Sequence, residues 1–423
     1  MIESSSRPGP AFAAYFAGRV LSSGGSAVAP LATAFAALHL GGGASALGWV
    51  LAAGLAPQLV LLLIGGVAAD RWSRPLIMVV SNLIAGGAQA VAAIAVLTGV
   101  ARVWQLAAVA AVIGATSAFF GPAAQGVVPQ LVPSERLQRA NASVRLGQNV
   151  AKVAGPALGG LVVAAVGPGW GLVFDAATFV LAAGLFAALR VPLDRARGAV
   201  SFVADLRDGW LDFWSRRWLW VIVVQSTVVV ACWLAGYQQL GPVYARDHLG
   251  GAAGWGLVGA ALAGGLLTGS AVSLLLRPVR VAVAVCVGTG AMALPLAAMA
   301  AGAPLPVLLG VVVVTGVGLD VSIVTWTTVV QARIPAHRQA RTSAYSTLGQ
   351  LVLVPVVYLV CGPLVSRFGL LTMLGVFAVL IAAAAVGPML VPQVRTLRLP
   401  GPDVDQPVTA PAGTDGLTVA ARR

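Results

Sequence analysis

Long apolar stretches recur along the chain and are separated by short polar segments. Each stretch is continuously apolar over about 20 residues, which is the length that an α-helix needs to cross a bilayer, and none alternates as a barrel strand would. Residues 20–69 and 281–319 contain no charged side chain, and a glycine-containing turn divides each of them in two. The pattern predicts twelve transmembrane helices, at residues 11–38, 45–68, 76–98, 103–128, 142–166, 170–189, 218–242, 254–276, 281–302, 304–330, 343–366 and 370–391.

The composition agrees with a membrane protein. Hydrophobic residues make up 59% and charged residues 9% of the 423 residues, and the mean hydropathy is +0.92. Soluble domains carry about 25% charged residues, so the composition excludes a soluble enzyme. The three cysteines lie far apart within apolar runs, which indicates neither a disulfide framework nor a metal cluster, and we expect no cofactor.

The arginines predict how the chain is oriented. If both termini are cytoplasmic, 21 arginines fall on the cytoplasmic side and only Arg102, Arg246 and Arg367 on the outer side. This asymmetry satisfies the positive-inside rule. The net charge of +13 therefore reflects membrane topology and does not indicate a nucleic-acid partner. The arginine-rich, Ala/Gly/Val-rich composition favours a bacterial inner membrane.

The two halves of the chain are related by a shift of 202 positions. The shift superposes a proline, two arginines and a Leu-Gly-Gln triplet, namely Pro133, Arg136, Arg139 and Leu146-Gly147-Gln148 on Pro335, Arg338, Arg341 and Leu348-Gly349-Gln350. Two halves in the same orientation form a parallel repeat. We therefore expect an all-α integral membrane fold of two six-helix bundles. Its parts are an N-terminal tail (1–10), a first bundle (11–189), a cytoplasmic connection with an amphipathic helix (190–217), a second bundle (218–391) and a disordered tail (392–423).

Five segments resemble the major facilitator superfamily. The loop at 66–74 resembles that superfamily's Gly-x-x-x-Asp-Arg-x-x-Arg motif, and the segment at 151–160 resembles the Gly-Pro-x-x-Gly-Gly motif of its antiporters, with Ala151 at the first glycine. More narrowly, the segments at 119–123, 139–142 and 174–179 resemble the drug:proton antiporters that include macrolide and enterobactin exporters. The motif residues are Gly66, Asp70, Arg71 and Arg74 in the loop, and Gly155, Pro156, Gly159 and Gly160 on the fifth helix.

The resemblance implies a secondary transporter that exports a small amphipathic or hydrophobic compound in exchange for protons. Members of this branch often carry acids where this chain has Ser26, Asn82, Thr327 and Ser346. Several positions that could carry protons are therefore neutral here. A proton-independent facilitator or importer on the same fold stays open as an alternative.

Four ionisable residues lie inside predicted helices and are functional candidates, because a charge in the bilayer is costly. Arg19 and Asp320 both lie about 12–16 Å from the cytoplasmic edge at the rise of an α-helix. Asp320 is the first candidate for the proton-carrying carboxylate, although it could instead neutralise a cation or cap backbone groups. Arg19 is expected to face the cavity. Asp175 lies only about one or two turns from the outer surface, which favours a structural or outer-gate role, and it is the second proton candidate.

Lys152, the sole lysine, forms a polar stripe with Arg145, Gln148 and Asn149 on the fifth helix. The stripe predicts either a cavity wall or a strip of interhelical hydrogen bonds, with Arg145 at the lipid headgroups. Trp326 and Tyr345 are further candidates for contact with the substrate.

The loop residues Asp70, Arg71 and Arg74 predict a cytoplasmic gate. An acid beside a helix N-terminus and cations beside it can hold the two halves together. An ordinary basic turn that follows the positive-inside rule is the alternative. The corresponding part of the second half carries Arg277 and Arg280 but no acid.

Other classes of function are disfavoured. The chain has no embedded nucleophile–base pair, so we expect no catalytic residues. A phosphate-binding loop needs Gly-Lys-Ser/Thr, and Lys152 follows Ala151, which excludes direct ATP drive through that motif. A lipid translocator or a non-transporting sensor stays open. We expect the partners to be a small-molecule substrate, protons and the lipid bilayer, with one chain forming a complete transport unit.

Overall fold

The computed structural model describes residues 9–189, 214–275, 281–334 and 345–395, and within these residues the elements are helices without strands. Twelve of them are long and apolar enough to cross a membrane, which confirms the predicted number. They are α1 (Pro10–His39), α2 (Gly43–Arg71), α3 (Arg74–Leu97), α4 (Val103–Leu131), α5 (Leu137–Val166), α6 (Pro168–Ala187), α7 (Arg217–His248), α8 (Ala252–Leu275), α9 (Val281–Ala300), α10 (Leu305–Arg333), α11 (Tyr345–Phe368) and α12 (Leu370–Val386).

Several helices are longer than the apolar pattern predicts, and two of them extend by at least five residues at one end. α5 begins at Leu137 rather than at residue 142, and its added first turns are polar and mostly exposed. α7 ends at His248 rather than at residue 242, and its extension holds the fully buried Tyr244, whose hydroxyl donates to the carbonyl of Ala303 at 3.2 Å. Hydropathy marks only the part of a helix inside the hydrocarbon core, so it misses turns that continue beyond it.

The helix packing repeats between the two halves. In the first half α1 packs on α6, α2 on α4, and α3 on both α4 and α6. In the second half α7 packs on α12, α8 on α10, and α9 on both α10 and α12. Every one of these contacts has its counterpart six helices later, as a parallel repeat requires.

One backbone feature also repeats at the shift of 202 positions. Gly167 joins α5 to α6 with φ +91°, and Gly369 joins α11 to α12 with φ +86°. Residues other than glycine are disfavoured in this left-handed region. The same tight connection is thus used once in each half.

The halves meet at one end of the molecule. We call the end where α2 ends and α5 begins, with Arg71, Arg74, Arg136 and Arg139, the arginine-rich end, and the opposite end the arginine-poor end. Toward the arginine-poor end one hydrophobic core runs through both halves, from Leu31 to Ile381. At the arginine-rich end the buried side chains form separate clusters, one around Phe12–Leu189 in the first half and two in the second half.

Several predicted segments lie outside the described residues. These are the N-terminal tail up to residue 8, the connection at 190–213 with most of its amphipathic helix, the segments with Arg277, Arg280, Arg338 and Arg341, and the tail from residue 396.

Candidate functional site

A cavity of about 380 Å³ lies within the first half and is completed by the second half. Helices α1–α4 and α6 supply most of its wall, and Leu234, Gln238, Leu351 and Tyr358 close it from α7 and α11. The wall is largely aliphatic. Its polar side chains are Ser26, Thr33, Gln58, Gln89, Ser117, Asp175, Gln238 and Tyr358. A mostly apolar cavity with a few convergent polar groups is the usual form of a small-molecule site.

Asp175 is the ionisable acid of this cavity wall. It lies seven residues into α6, about 10 Å from the arginine-poor end at the rise of an α-helix. Its side chain is buried, with 2% of its surface exposed, and among the described residues Oδ1 has no hydrogen-bond partner. A buried polar atom without a partner is uncommon and asks for a functional reason. A bound proton or a polar group of a substrate would supply that partner.

The neighbouring helix makes room for this carboxylate. Gly25 of α1 lies against Asp175 and Thr178, and a Cβ atom added at Gly25 would lie 2.6 Å from Asp175 Oδ1. Thr178 cannot easily turn away, because its hydroxyl donates to the carbonyl of Asp175 at 2.8 Å. The approach of α1 to α6 thus depends on a glycine at this position.

The second half contributes a polar group that hydropathy did not single out. Residues Leu234–Leu240 of α7 form a π-helical segment that contains Gln238 and Gln239. Gln238 lines the cavity, and its Oε1 accepts a hydrogen bond from the hydroxyl of Tyr358 at 3.2 Å. Such π-helical segments are frequent at functional sites. The adjacent pair of glutamines within an apolar helix is the signal that could have indicated it.

Gln239 joins the two halves. Its Nε2 donates to the carbonyl of Tyr358 at 3.0 Å and to that of Ala44, in the other half, at 2.9 Å. The side chain is fully buried. The cavity is therefore closed on its arginine-poor side by a contact that includes a hydrogen bond between the halves.

Asp320 does not line the cavity. It lies on α10 against α8, where its Oδ2 accepts a hydrogen bond from the hydroxyl of Ser270 at 2.9 Å. Gly269 gives it room, because a Cβ added there would lie 2.7 Å from the Cβ of Asp320. The structure thus separates the two predicted proton carriers, and only Asp175 is brought to the cavity.

The predicted cavity-facing cations lie elsewhere. Arg19 packs inside the first half with its guanidinium 5.0 Å from the centre of the Phe120 ring, and it is not part of the cavity wall. On α5, Gln148 donates to the hydroxyl of Ser23 on α1 at 3.3 Å, which is an interhelical hydrogen bond of the kind that the polar stripe predicts as one of its two alternatives. Asn149 and Lys152 are exposed and also lie outside this cavity.

The two aromatic candidates pack within the second half. Trp326 lies edge-on to Trp218, with the ring centres 5.7 Å apart. Tyr345 is half-buried and packs with the same small cluster. Neither lines the cavity.

The predicted gate is only partly described. The surroundings of Gly66 and the side chain of Asp70 lie outside the described part of the chain, whereas Arg71 is exposed. Arg74 donates from Nη1 to the carbonyl of Gly126 on α4 at 2.6 Å, a bond within the first half. The gate between halves therefore stays a prediction.

The motif on α5 lies between two helices. Gly155 and Gly159 allow close approach to α1 of the same half, at Ala27 and Val28. On the other face, Pro156 and Gly160 contact α8 of the second half, where a Cβ added at Gly160 would lie 2.8 Å from the Cα of Gly256. Small residues permit this close packing of helices in membranes, so the motif forms part of the joint between the halves.

Comparison with known proteins agrees with this architecture. The chain is 29% identical over 422 residues to the multidrug efflux pump Tap of Mycobacterium tuberculosis, covering 95% of this chain and 98% of that protein. It is 25% identical over 243 residues to macrolide efflux protein A of Streptococcus pyogenes, covering 57% of this chain and 60% of the relative.

Solved structures share the fold at low sequence identity. The nucleoside transporter NupG superposes with a TM-score of 0.71 at 14% identity, over 90% of this chain and 98% of NupG. A POT family transporter in complex with 5-aminolevulinic acid gives 0.71 at 12% identity, over 93% of this chain and 98% of that one. The sequence profile of the Major Facilitator Superfamily matches residues 14–356. The chain belongs to the Major Facilitator Superfamily and is a multi-pass membrane transporter of a small molecule rather than an enzyme.

Proposed function

We propose that the chain exports a small amphipathic or hydrophobic compound from the cytoplasm in exchange for protons, with Asp175 as the coupling carboxylate. In this proposal the arginine-rich end faces the cytoplasm, as the positive-inside rule favours, and the protein lies in a bacterial inner membrane with both termini inside. The relatives named efflux pump and efflux protein support the direction of transport.

The observation that carries the proposal is a single carboxylate in a largely aliphatic cavity. Among the described residues that line it, Asp175 is the only charged side chain, and its neighbours are hydroxyls and amides. Within the described chain no cation pairs with it, and Gly25, Thr178 and Gln89 are the groups that α1, α6 and α3 present nearby. A carboxylate that takes up a proton when the substrate leaves, and releases the proton when the next substrate binds, would couple proton movement to substrate movement.

The aliphatic wall supports an amphipathic substrate. Leu47, Val50, Leu51 and Leu106 offer apolar surface, whereas the three glutamines can donate or accept hydrogen bonds in fixed positions. Because an amide group can both donate and accept hydrogen bonds, several compounds of similar shape can fit.

The first test measures dye accumulation in everted membrane vesicles. The wild-type protein is expected to concentrate a fluorescent lipophilic dye, and an uncoupler should abolish the accumulation. Asp175→Asn keeps the size of the side chain but cannot release a proton. We expect it to lose accumulation against a gradient while it still equilibrates dye down a gradient.

Two further variants serve as a control and as a test of the other predicted proton carrier. Asp247→Asn removes an exposed acid that pairs with Arg246 at the arginine-poor end, and it should transport as the wild type does. Asp320→Asn tests the other predicted proton carrier. If Asp320→Asn alone uncouples transport, the coupling role assigned to Asp175 is wrong. If the uncoupler does not change transport by the wild-type protein, the proton-independent facilitator is favoured instead.

A further inference from the structure

The two halves carry one opposite-charge pair at matched positions on the faces that flank their joint. In the joint between α5 and α8, Pro156 contacts Gly259, where an added Cβ would lie 2.6 Å from the Cβ of Pro156, and distances from the joint are counted from this contact. The two helices run in opposite directions through this contact. Moving toward the arginine-rich end therefore means moving backward along α5 and forward along α8.

Equal steps along the two helices lead to Arg145 and Ser270. Each lies eleven residues from the joint, Arg145 before Pro156 and Ser270 after Gly259. Eleven residues are about three turns and about 16 Å of helix. Both residues therefore stand at the same depth, and each lies on the face of its helix that forms the joint.

Ser270 brings a carboxylate to this position. Its hydroxyl donates to Oδ2 of Asp320 at 2.9 Å, which fixes Asp320 beside the joint-forming face of α8. Oδ1 of Asp320 takes part in no hydrogen bond with the described residues, and the side chain is half-exposed. The second half therefore presents a free carboxylate oxygen three turns from the joint.

Arg145 carries the charge that would complement this carboxylate. Arg145 is exposed, as is Ser270, and neither Arg145 nor Asp320 forms an ion pair within the described chain. The core clusters are also separate at this end. The structure thus shows a state in which Arg145 and Asp320 are not paired with each other.

The choice of partners is narrow. Among the described residues of the second half, the acids are Asp247 and Asp320, and Asp247 pairs with Arg246 at the opposite end. In the first half Lys152 lies on the same face as Arg145 but only one turn from the joint, about 10 Å short of the depth of Asp320. Arg145 alone combines the right face with the right depth.

We propose that Arg145 and Asp320 form an ion pair between the halves when the arginine-rich end closes, with Ser270 holding the carboxylate in place. The pair stabilises the state in which the cavity opens to the other side. An arginine suits this role because its planar group binds a carboxylate through two parallel hydrogen bonds. The inference rests on alternating access, and it is independent of the direction of transport and of proton coupling.

The first experiment is disulfide cross-linking in membranes. Arg145→Cys and Ser270→Cys are combined in a chain whose three native cysteines, all buried, are replaced by alanine. A disulfide needs Cα atoms about 4.4–6.8 Å apart, so it forms only if these faces meet. The matched control pairs Arg145→Cys with Thr268→Cys, an exposed position on a different face of α8. Faster cross-linking at Ser270 supports the proposal, and equal rates or none at either position overturn it.

The second experiment reverses the charges. Spin labels at Thr98 and Asp247, exposed residues of opposite halves at the arginine-poor end, report the fraction of molecules open there through their separation. Arg145→Glu and Asp320→Arg should each lower that fraction about tenfold, and the double variant should recover most of it, as two directly coupled residues do. Arg139→Glu makes the same charge change on another face of α5 and should leave the fraction unchanged.

The outcomes separate the two levels of inference. A wild-type protein with a single label separation would contradict alternating access itself. If both label separations are present but neither charge reversal changes their relative populations, the ion pair alone is contradicted. A double variant with as small an open fraction as the single variants would contradict it too.

Discussion

At Gly25 the first helix lacks a side chain where the cavity carboxylate lies. The added Cβ of an alanine would meet both Asp175 and the hydroxyl of Thr178, and that hydroxyl is held by its bond to a backbone carbonyl. The neighbouring Gly24 has no atom within 4 Å of the corresponding position. Two adjacent glycines in one helix therefore have opposite tolerance to the same substitution.

We expect Gly25→Ala to lower the free energy of unfolding by about 1–3 kcal/mol, the usual cost of overpacking a core. Gly24→Ala should be neutral or slightly stabilising, because alanine favours a helix by up to about 1 kcal/mol. Thermal unfolding of the two variants in detergent checks the difference. Equal melting temperatures would mean that α1 and α6 move apart freely, and the tight packing around Asp175 would then be irrelevant to stability.

At the scale of the helices, one side of α5 belongs to its own half and the other to the joint. Gly155 and Gly159 pack on α1, whereas Gly160 packs on Gly256 of α8. A larger residue at Gly160 would therefore press the halves apart without entering the interior of either half. The glycines of one short motif thus have separable structural consequences.

Gly160→Leu should shift the molecule toward the state open at the arginine-poor end. The spin labels at Thr98 and Asp247 should then show more of the long separation, by several-fold in population, since a clash of about 1–3 kcal/mol acts on one state only. Gly264→Leu is the matched control on α8, because no atom lies within 4 Å of a Cβ there. A Gly160→Leu variant with an unchanged distance distribution would show that this contact does not limit opening.

The helices could be predicted from the sequence far better than the site. A bilayer imposes a continuous apolar length, so each of the twelve runs marks a helix whatever its neighbours are. An almost uniformly apolar helix gives no contrast between its faces, so the sequence does not show which side of α6 or α10 borders a cavity. Depth from the membrane edge favoured Asp320, whereas packing brings Asp175 to the cavity wall. For the same reason the sequence does not show that Arg19 packs against an aromatic ring on α4.

At the scale of the whole molecule, the arrangement of charges predicts an orientation that can be measured. The arginine-rich end should lie in the cytoplasm, because translocation of arginine-rich loops is disfavoured. A green fluorescent protein fused after Arg423 should therefore fluoresce, and alkaline phosphatase inserted after Thr98, in the loop between α3 and α4, should be active. The reverse pattern of the two reporters would place the arginine-rich end outside and turn the proposed exporter into an importer.

The single lysine of the chain gives the joint between the halves a natural chemical label. Lys152 is exposed, one turn from Pro156 on the face of α5 that contacts α8 of the second half, and the sequence contains no other lysine. An amine-reactive dye should therefore mark Lys152 as the one side-chain amine, beside the N-terminal amine, without any engineered residue. Its rate of attachment would fall whenever the halves close over Lys152, so ordinary acylation chemistry could follow the transport cycle in native membranes, compound by compound, and reveal which molecules the cavity accepts.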